Sequence, residues 1–243
     1  RECCGRCRAR GTEQPEKPLM RSGCSSPQCK VVVLISGSGS NLQALIDSIA
    51  SGDSPAQISA VISNRADAYG LQRAQAAGIA TQVLDHKQFE GREAFDAALT
   101  AAIDAYQPQL VVLAGFMRIL SAGFVRHYQG RLLNIHPSLL PKYKGPHTHQ
   151  RALDAGDREH GCSVHFVTEE LDGGPLVVQA VVPIAADDTA DTLAQRIHGA
   201  EHQIYPLAVR WFAEGRVQLH EQGATLDGQL LPASGQVLHY ADS

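Results

Sequence analysis

The stretch KVVVLISGSGSNLQALID, from Lys30 to Asp47, decides the fold. Its first part, Lys30–Ser36, is an unbroken β-branched and aliphatic run, the pattern of a parallel strand covered on both faces. Asn41–Ala50 then carries Leu42, Leu45, Ile46 and Ile49 at helical spacing. Between them, Gly37-Ser38-Gly39-Ser40-Asn41 sets free backbone N–H groups at the positive end of a helix dipole. Glycines let the backbone approach an anion closely, and Ser38, Ser40 and Asn41 add side-chain donors. A dinucleotide fingerprint is disfavoured, because Leu42 stands where its third glycine belongs. The second strand also ends at Ser63-Asn64, with no carboxylate for a ribose. A phosphate monoester fits the loop better than a plain strand-to-helix turn does.

Outward from this stretch the same rhythm continues. Strands are expected at 58–63, 81–84, 110–114 and 131–135, alternating with helices at 69–77, 92–106 and 122–127. Such alternation from residue 30 to 136 predicts an α/β fold with a doubly wound, mostly parallel, Rossmann-like sheet and right-handed crossovers. Strands at 162–167 and 176–182 then follow directly on one another, an antiparallel or mixed extension towards the C-terminus. A long helix over 189–213 has Leu193, Ile197, Ile204, Leu207, Ala208, Trp211 and Phe212 on its apolar side. A last edge strand is expected at 216–220. The expected organisation is a disordered extension or non-native start over 1–29, one domain over 30–222, and a tail of little signal over 223–243.

Composition narrows the function classes. The chain has 243 residues, 44% of them hydrophobic, and a net charge of −4. That balance gives no general electrostatic case for nucleic acid or anionic membrane, and no apolar run approaches a membrane span. Five of the six cysteines, Cys3, Cys4, Cys7, Cys24 and Cys29, precede residue 30. Cys4-x-x-Cys7 with Cys24 and Cys29 has zinc-ligand spacing. The surrounding polar, aperiodic composition instead favours a disordered segment, with a natural start at Met20. A nearly cysteine-free body fits a reducing, cytoplasmic location.

Chemistry concentrates at Asn134-Ile135-His136-Pro137-Ser138 and at Asp172 in the turn Leu171-Asp172-Gly173-Gly174-Pro175. Asn134 and His136 are two apart at a strand end, so their side chains share a face. An amide donor, a titratable ring and a carboxylate to orient it are the groups that move an acyl group onto an amine. His136 alone would carry little weight among 11 histidines. Its place at a strand's carboxyl end, beside Gly115-Phe116-Met117-Arg118 and the glycine loop, predicts that all three segments open into one crevice.

The segments VVVLISGSGSNLQALID (31–47), AGFMRILS (114–121), LLNIHPSLLPKYKG (132–145) and SVHFVTEELDGGP (163–175) resemble the folate-dependent glycinamide ribonucleotide formyltransferase family, over about residues 30 to 215. The resemblance implies that 10-formyltetrahydrofolate, as co-substrate, gives its formyl group to the amine of 5′-phosphoribosylglycinamide in purine (IMP) biosynthesis. It implies catalytic roles for Asn134, His136 and Asp172, and a phosphate loop at Gly39, Ser40 and Asn41. Glu201 would hold the ribose hydroxyls. Folate would be held by Arg92, by the strip Met117, Arg118, Ile119 and Leu120 through backbone groups and apolar contacts, and by Asn134. His165 and Ser163 match cleft-lining positions. No metal is implied, and the expected partners are small-molecule substrates, with no nucleic acid and no membrane, for a cytoplasmic monomer or homodimer.

Residue chemistry agrees. As the substrate amine attacks the formyl carbon, Asn134 can donate to the oxygen that gains charge, and His136 can donate a second bond as imidazolium, stabilised by Asp172. His147 and His149 read as part of a mobile loop over the substrate in preference to a metal site. Pro146 and His198 depart from the family pattern. Three rivals stand beside this reading. A formyltransferase acting on initiator methionyl-tRNA would carry a second, basic domain. A formyl-folate hydrolase would carry an N-terminal regulatory domain. A non-catalytic nucleotide-binding module would leave Asn134, His136 and Asp172 without a role.

Overall fold

The computed structural model describes residues 28–240. The expectations for the cysteine-rich start, zinc ligation at Cys4, Cys7 and Cys24 included, fall outside the described residues. Cys29 opens the first strand and is buried there.

An eight-stranded sheet forms the centre, in the order β11-β7-β6-β5-β4-β1-β2-β3. Its strands are β1 (Cys29–Ile35), β2 (Ala56–Ser63), β3 (Ala80–Val83), β4 (Leu110–Leu113), β5 (Leu132–His136), β6 (Glu159–Phe166), β7 (Leu176–Pro183) and β11 (Gln236–His239). Strands β1 to β5 run parallel. The extension expected after residue 160 pairs antiparallel, β5 with β6 and β6 with β7. The doubly wound, mostly parallel α/β sheet is therefore as the sequence predicts.

Among the described residues, six α-helices cover the sheet: α1 (Ser40–Ala50), α2 (Tyr69–Ala76), α3 (Gly91–Asp104), α4 (Ala122–His127), α5 (Thr148–Asp154) and α6 (Ala190–Ala213). The unbroken apolar run of β1 follows from this double cover. Val31, Val33 and Ile35 pack into the core under α1, α2 and α6, while Val32 and Leu34 enter the opposite core against α3 and α4. Helix α6 starts at a capping box in which Thr189 and Thr192 bond each other's backbone N–H. Its buried Tyr205 hydroxyl is shared between the carbonyls of Leu113 and Leu133, 2.7 and 3.1 Å away, tying the ends of β4 and β5 together.

Two features lie beyond the sequence reading. Residues after 216 form a separate antiparallel sheet of β8 (Val217–His220), β9 (Gly223–Leu226) and β10 (Gln229–Leu230). The chain then returns to the main sheet as β11, parallel to β7. The segment read as a loop around His147 and His149 is shorter than expected, since α5 begins at Thr148 and takes His149 into a helix. Among the described residues, no helix is long and apolar enough to cross a membrane.

Candidate active site

The sheet order reverses at β1, with β2 on one side and β4 on the other. Parallel α/β sheets open a crevice beyond the carboxyl ends of the strands at such a point. The ends of β1, β4 and β5 carry, in turn, the glycine loop, residues 114–121, and the pair Asn134 and His136.

Gly39 caps α1 at φ 72°, the left-handed region, and a Cβ there would sit 2.5 Å from the Gly70 Cα. The loop is pressed against the start of α2, and Gly70 donates its N–H to the Gly37 carbonyl at 3.0 Å. Only glycine meets both demands. Ser40 and Asn41 are the first two residues of α1, where backbone N–H groups are free of intrahelical partners. Asn41 Nδ2 lies 3.5 Å from Glu201 Oε2 across the groove to α6. Glu201 is buried at 5% exposure, and burial pushes its carboxyl up to about 7.

Two residues that sequence reading passed over complete this corner. Arg73 of α2 donates Nε–H to the Ser38 carbonyl at 2.8 Å, and its guanidinium stacks on Tyr69. His202 of α6 faces the same groove with Ser40, Gln43 and Arg73, and its Nε2 is buried without a hydrogen-bond partner. Burial first, then the charges of His198 and Arg73, hold its pKa below the usual imidazole value. A helix N-terminus, a guanidinium and an imidazole thus converge on one groove, an arrangement that favours an anion. The local signal was position alone: Arg73 falls on the first helix after β2, and His202 directly follows Glu201.

The second part of the crevice is a cleft of about 420 Å³, lined by the 116–120 segment, Asn134, His136, His165 and Asp172, among others. His136 is 9% exposed. Its Nε2 is 2.8 Å from the Tyr143 carbonyl, which only accepts, so Nε2 carries a proton and donates it. Its Nδ1 is left to face Asp172 Oδ1 at 3.6 Å. Asp172 sits at φ 51°, and its other oxygen accepts the Gly145 N–H at 3.0 Å. The ring is therefore fixed at one nitrogen and aimed at the carboxylate with the other. The turn that carries Asp172 demands glycine two residues on, since a Cβ at Gly174 would stand 1.7 Å from the Phe166 carbonyl oxygen.

Asn134 has its own support. The β5–β6 register sets it opposite His165, with Asn134 Nδ2 3.5 Å from His165 Nε2. His165 Nδ1 donates to the Phe166 carbonyl at 3.0 Å, and burial keeps the ring's pKa low, so it is neutral and Nε2 is an acceptor. One Asn134 N–H is drawn towards His165, which turns the amide's donor side to the cleft.

Most of the expected residues thus come together. Asn134, His136, Asp172, Met117, Arg118, Ile119, Leu120 and His165 share the cleft, while Ser40 lines the neighbouring groove, with Gly39 and Asn41 on either side of it in the chain and Asn41 in contact with Glu201. Two stand apart. Arg92, in the first turn of α3, is exposed and outside the cleft lining. Ser163 lies fully buried behind His136, bonding the Ser138 carbonyl, the Leu140 N–H and Gln179.

A strand-end amide and imidazole, a turn carboxylate and an anion-binding loop on one sheet edge describe an enzyme that transfers a small acyl group to a phosphorylated acceptor. The chain belongs to the formyl transferase family, whose model matches residues 29–209. It is 60% identical over 205 residues to the phosphoribosylglycinamide formyltransferase of Escherichia coli, covering 84% of this chain and 97% of that one. It is 50% identical over 196 residues to the human trifunctional purine biosynthetic protein adenosine-3, 81% of this chain but 19% of that one. The solved phosphoribosylglycinamide formyltransferase of Coxiella burnetii superposes with a TM-score of 0.84 at 54% identity, covering 87% of this chain and 100% of that one.

Proposed function

We propose that this chain transfers the formyl group of 10-formyltetrahydrofolate to the amine of 5′-phosphoribosylglycinamide in de novo purine (IMP) biosynthesis. One observation carries the reading: His136 Nδ1 faces Asp172 at 3.6 Å in the same cleft that holds Asn134, beside a separate groove suited to a phosphate.

The ribonucleotide enters the groove. Ser40, Asn41 and the glycine loop take its phosphate, Arg73 supplies positive charge, His202 offers a neutral ring N–H, and Glu201 accepts from the ribose hydroxyls. Folate lies in the cleft. Met117 and Ile119, 80% and 59% exposed, and Leu171 offer apolar surface to its ring system at the cleft mouth. Among the described residues, the backbone N–H groups of Arg118, Ile119 and Leu120 have no partner within the chain, so they are available to its polar edge.

The amine attacks the formyl carbon and a C–N bond forms. Asn134 Nδ2–H donates to the oxygen as it gains negative charge, and protonated His136 donates through Nδ1. Asp172, close to that nitrogen, stabilises the imidazolium. The attacking nitrogen loses a proton, the folate nitrogen gains one as its bond to carbon breaks, and His136 with Asp172 is placed to relay it. The steps described use no metal. Residues 30–222 carry the catalytic machinery, acting on small molecules in the cytoplasm as a monomer or homodimer.

The test is a spectroscopic assay of formyl-folate consumption with and without phosphoribosylglycinamide. Consumption that requires the ribonucleotide supports transfer. Consumption without it identifies a hydrolase, and none in either case leaves a binding module.

A further inference from the structure

The strip Met117–Leu120 has no regular secondary structure, yet both its ends are tied to buried side chains from other elements. At its start, the Met117 N–H donates to Ser36 Oγ at 2.8 Å. Ser36 donates in turn to Asn64 Oδ1 at 2.5 Å, and Asn64 Nδ2 lies 3.3 Å from His86 Nδ1. Ser36 and Asn64 are each 3% exposed, so these bonds are shielded from water. Just past its end, the Ser121 N–H donates to Asp96 Oδ2 at 2.6 Å. Asp96, on α3, is buried too, and its Oδ1 has no hydrogen-bond partner. A buried carboxylate is costly to keep, and the bond to Ser121 is the one return visible for it. The Arg118 guanidinium adds a third hold, over the ring of Phe95, the neighbour of Asp96.

Between the two ties lie the unpartnered N–H groups of Arg118, Ile119 and Leu120. A loop held only by its own backbone would fold back and satisfy those donors internally or wander in solvent. Held at both ends, it keeps them unpaired in a segment that lines the cleft. We propose that Ser36, backed by Asn64, and Asp96 are positioning residues for the folate side of the site: they hold the strip open so that its backbone donors meet the polar edge of the folate ring system. The inference rests on the proposed function, because it assigns that strip to folate. It adds the residues that directly follow β1 and β2, and one from α3, all outside the cleft lining.

Steady-state kinetics on Ser36→Ala and Asp96→Ala, each with a variant that keeps the bond, provide the test. Thr at 36 keeps a hydroxyl, and Asn at 96 keeps an oxygen acceptor while discarding the charge. The alanine variants should raise the KM for formyl-folate by about tenfold or more, with the ribonucleotide KM changed by less than about twofold. Ser36→Thr and Asp96→Asn should restore near-normal values. Equal rises in both KM values, or no rise in either, would overturn the proposal. Hydrogen exchange on the unmutated protein gives an arm independent of variant folding. The Met117 and Ser121 amides should be protected although Met117's side chain is largely exposed, and the amides of 118–120 should be protected only when a folate is added. Rapid exchange at Met117 and Ser121 would overturn the proposal. A wild-type protein inactive in formyl transfer would instead remove the functional reading beneath it.

Discussion

Asn41 and Glu201 stand 3.5 Å apart, Nδ2 to Oε2, although 160 residues separate them in the chain. The contact joins the start of α1 to the middle of α6, near the groove proposed for the ribonucleotide, through a carboxylate whose pKa burial pushes up to about 7. Glu201 binds a proton more tightly in the folded chain than at its ordinary value of 4.5. Its ionised form therefore costs stability, from nothing below pH 4.5 to a full penalty above about 7. At full ionisation that penalty is about 3 kcal/mol. Glu201→Gln should raise the melting temperature at pH 8 and leave it unchanged at pH 4. The same variant should raise the ribonucleotide KM at pH 8 and abolish its rise as the pH falls through about 7. A melting temperature insensitive to the substitution at pH 8 would contradict this account.

Gly39 has no acceptable replacement. Alanine would keep φ 72° at a cost and press its Cβ onto Gly70. Gly39→Ala should raise the ribonucleotide KM by roughly tenfold or more and lower stability by about 2 kcal/mol. The folate KM should stay near normal, which a two-substrate kinetic matrix would read directly.

His165 acts through Asn134. His165→Phe keeps roughly the volume and removes the nitrogen that holds one Asn134 N–H and so fixes the amide's orientation. Turnover should fall by about tenfold to a hundredfold through misorientation of the donor, with both KM values little changed. Near-wild-type turnover would show that Asn134 holds its orientation without help.

Burial and the neighbouring His149 lower the pKa of His160 to about 4. The two rings meet at 3.0 Å, Nδ1 of His149 to Nε2 of His160, and dock α5 on β6. The unfolded chain takes up this proton first as the pH falls, so stability is intact above about 6.5 and drains between 6.5 and 4. The loss reaches about 3 kcal/mol at the low end. His160→Gln should flatten the fall in melting temperature over that interval. An equally steep fall in the variant would assign the acid sensitivity elsewhere.

The sequence carried the fold as far as local periodicity reaches. The aliphatic run of β1 and the alternation through β5 read directly, because strands buried on both faces leave no polar interruption. The pairing of β11 with β7 did not read, since it joins a short, half-polar strand to one some sixty residues earlier and no local pattern encodes it. The β9–β10 hairpin could have been found, because Asp227-Gly228 is a turn signal between the two strands. At the site, residue type and spacing singled out Asn134, His136 and Asp172. Which ring nitrogen of His136 faces Asp172 depends on the Tyr143 carbonyl, seven residues on, and only coordinates supply that. Arg73 and His202 escaped for a similar reason: they meet across two helices whose packing is tertiary.

The central claim is that Asn134, His136 and Asp172 surround one reacting carbon. Single-turnover formyl transfer by Asn134→Ala, with both substrates saturating, tests it most directly. The rate should fall by about 100- to 1000-fold while phosphoribosylglycinamide still binds with unchanged affinity. A variant that transfers the formyl group at close to the wild-type rate would contradict the account.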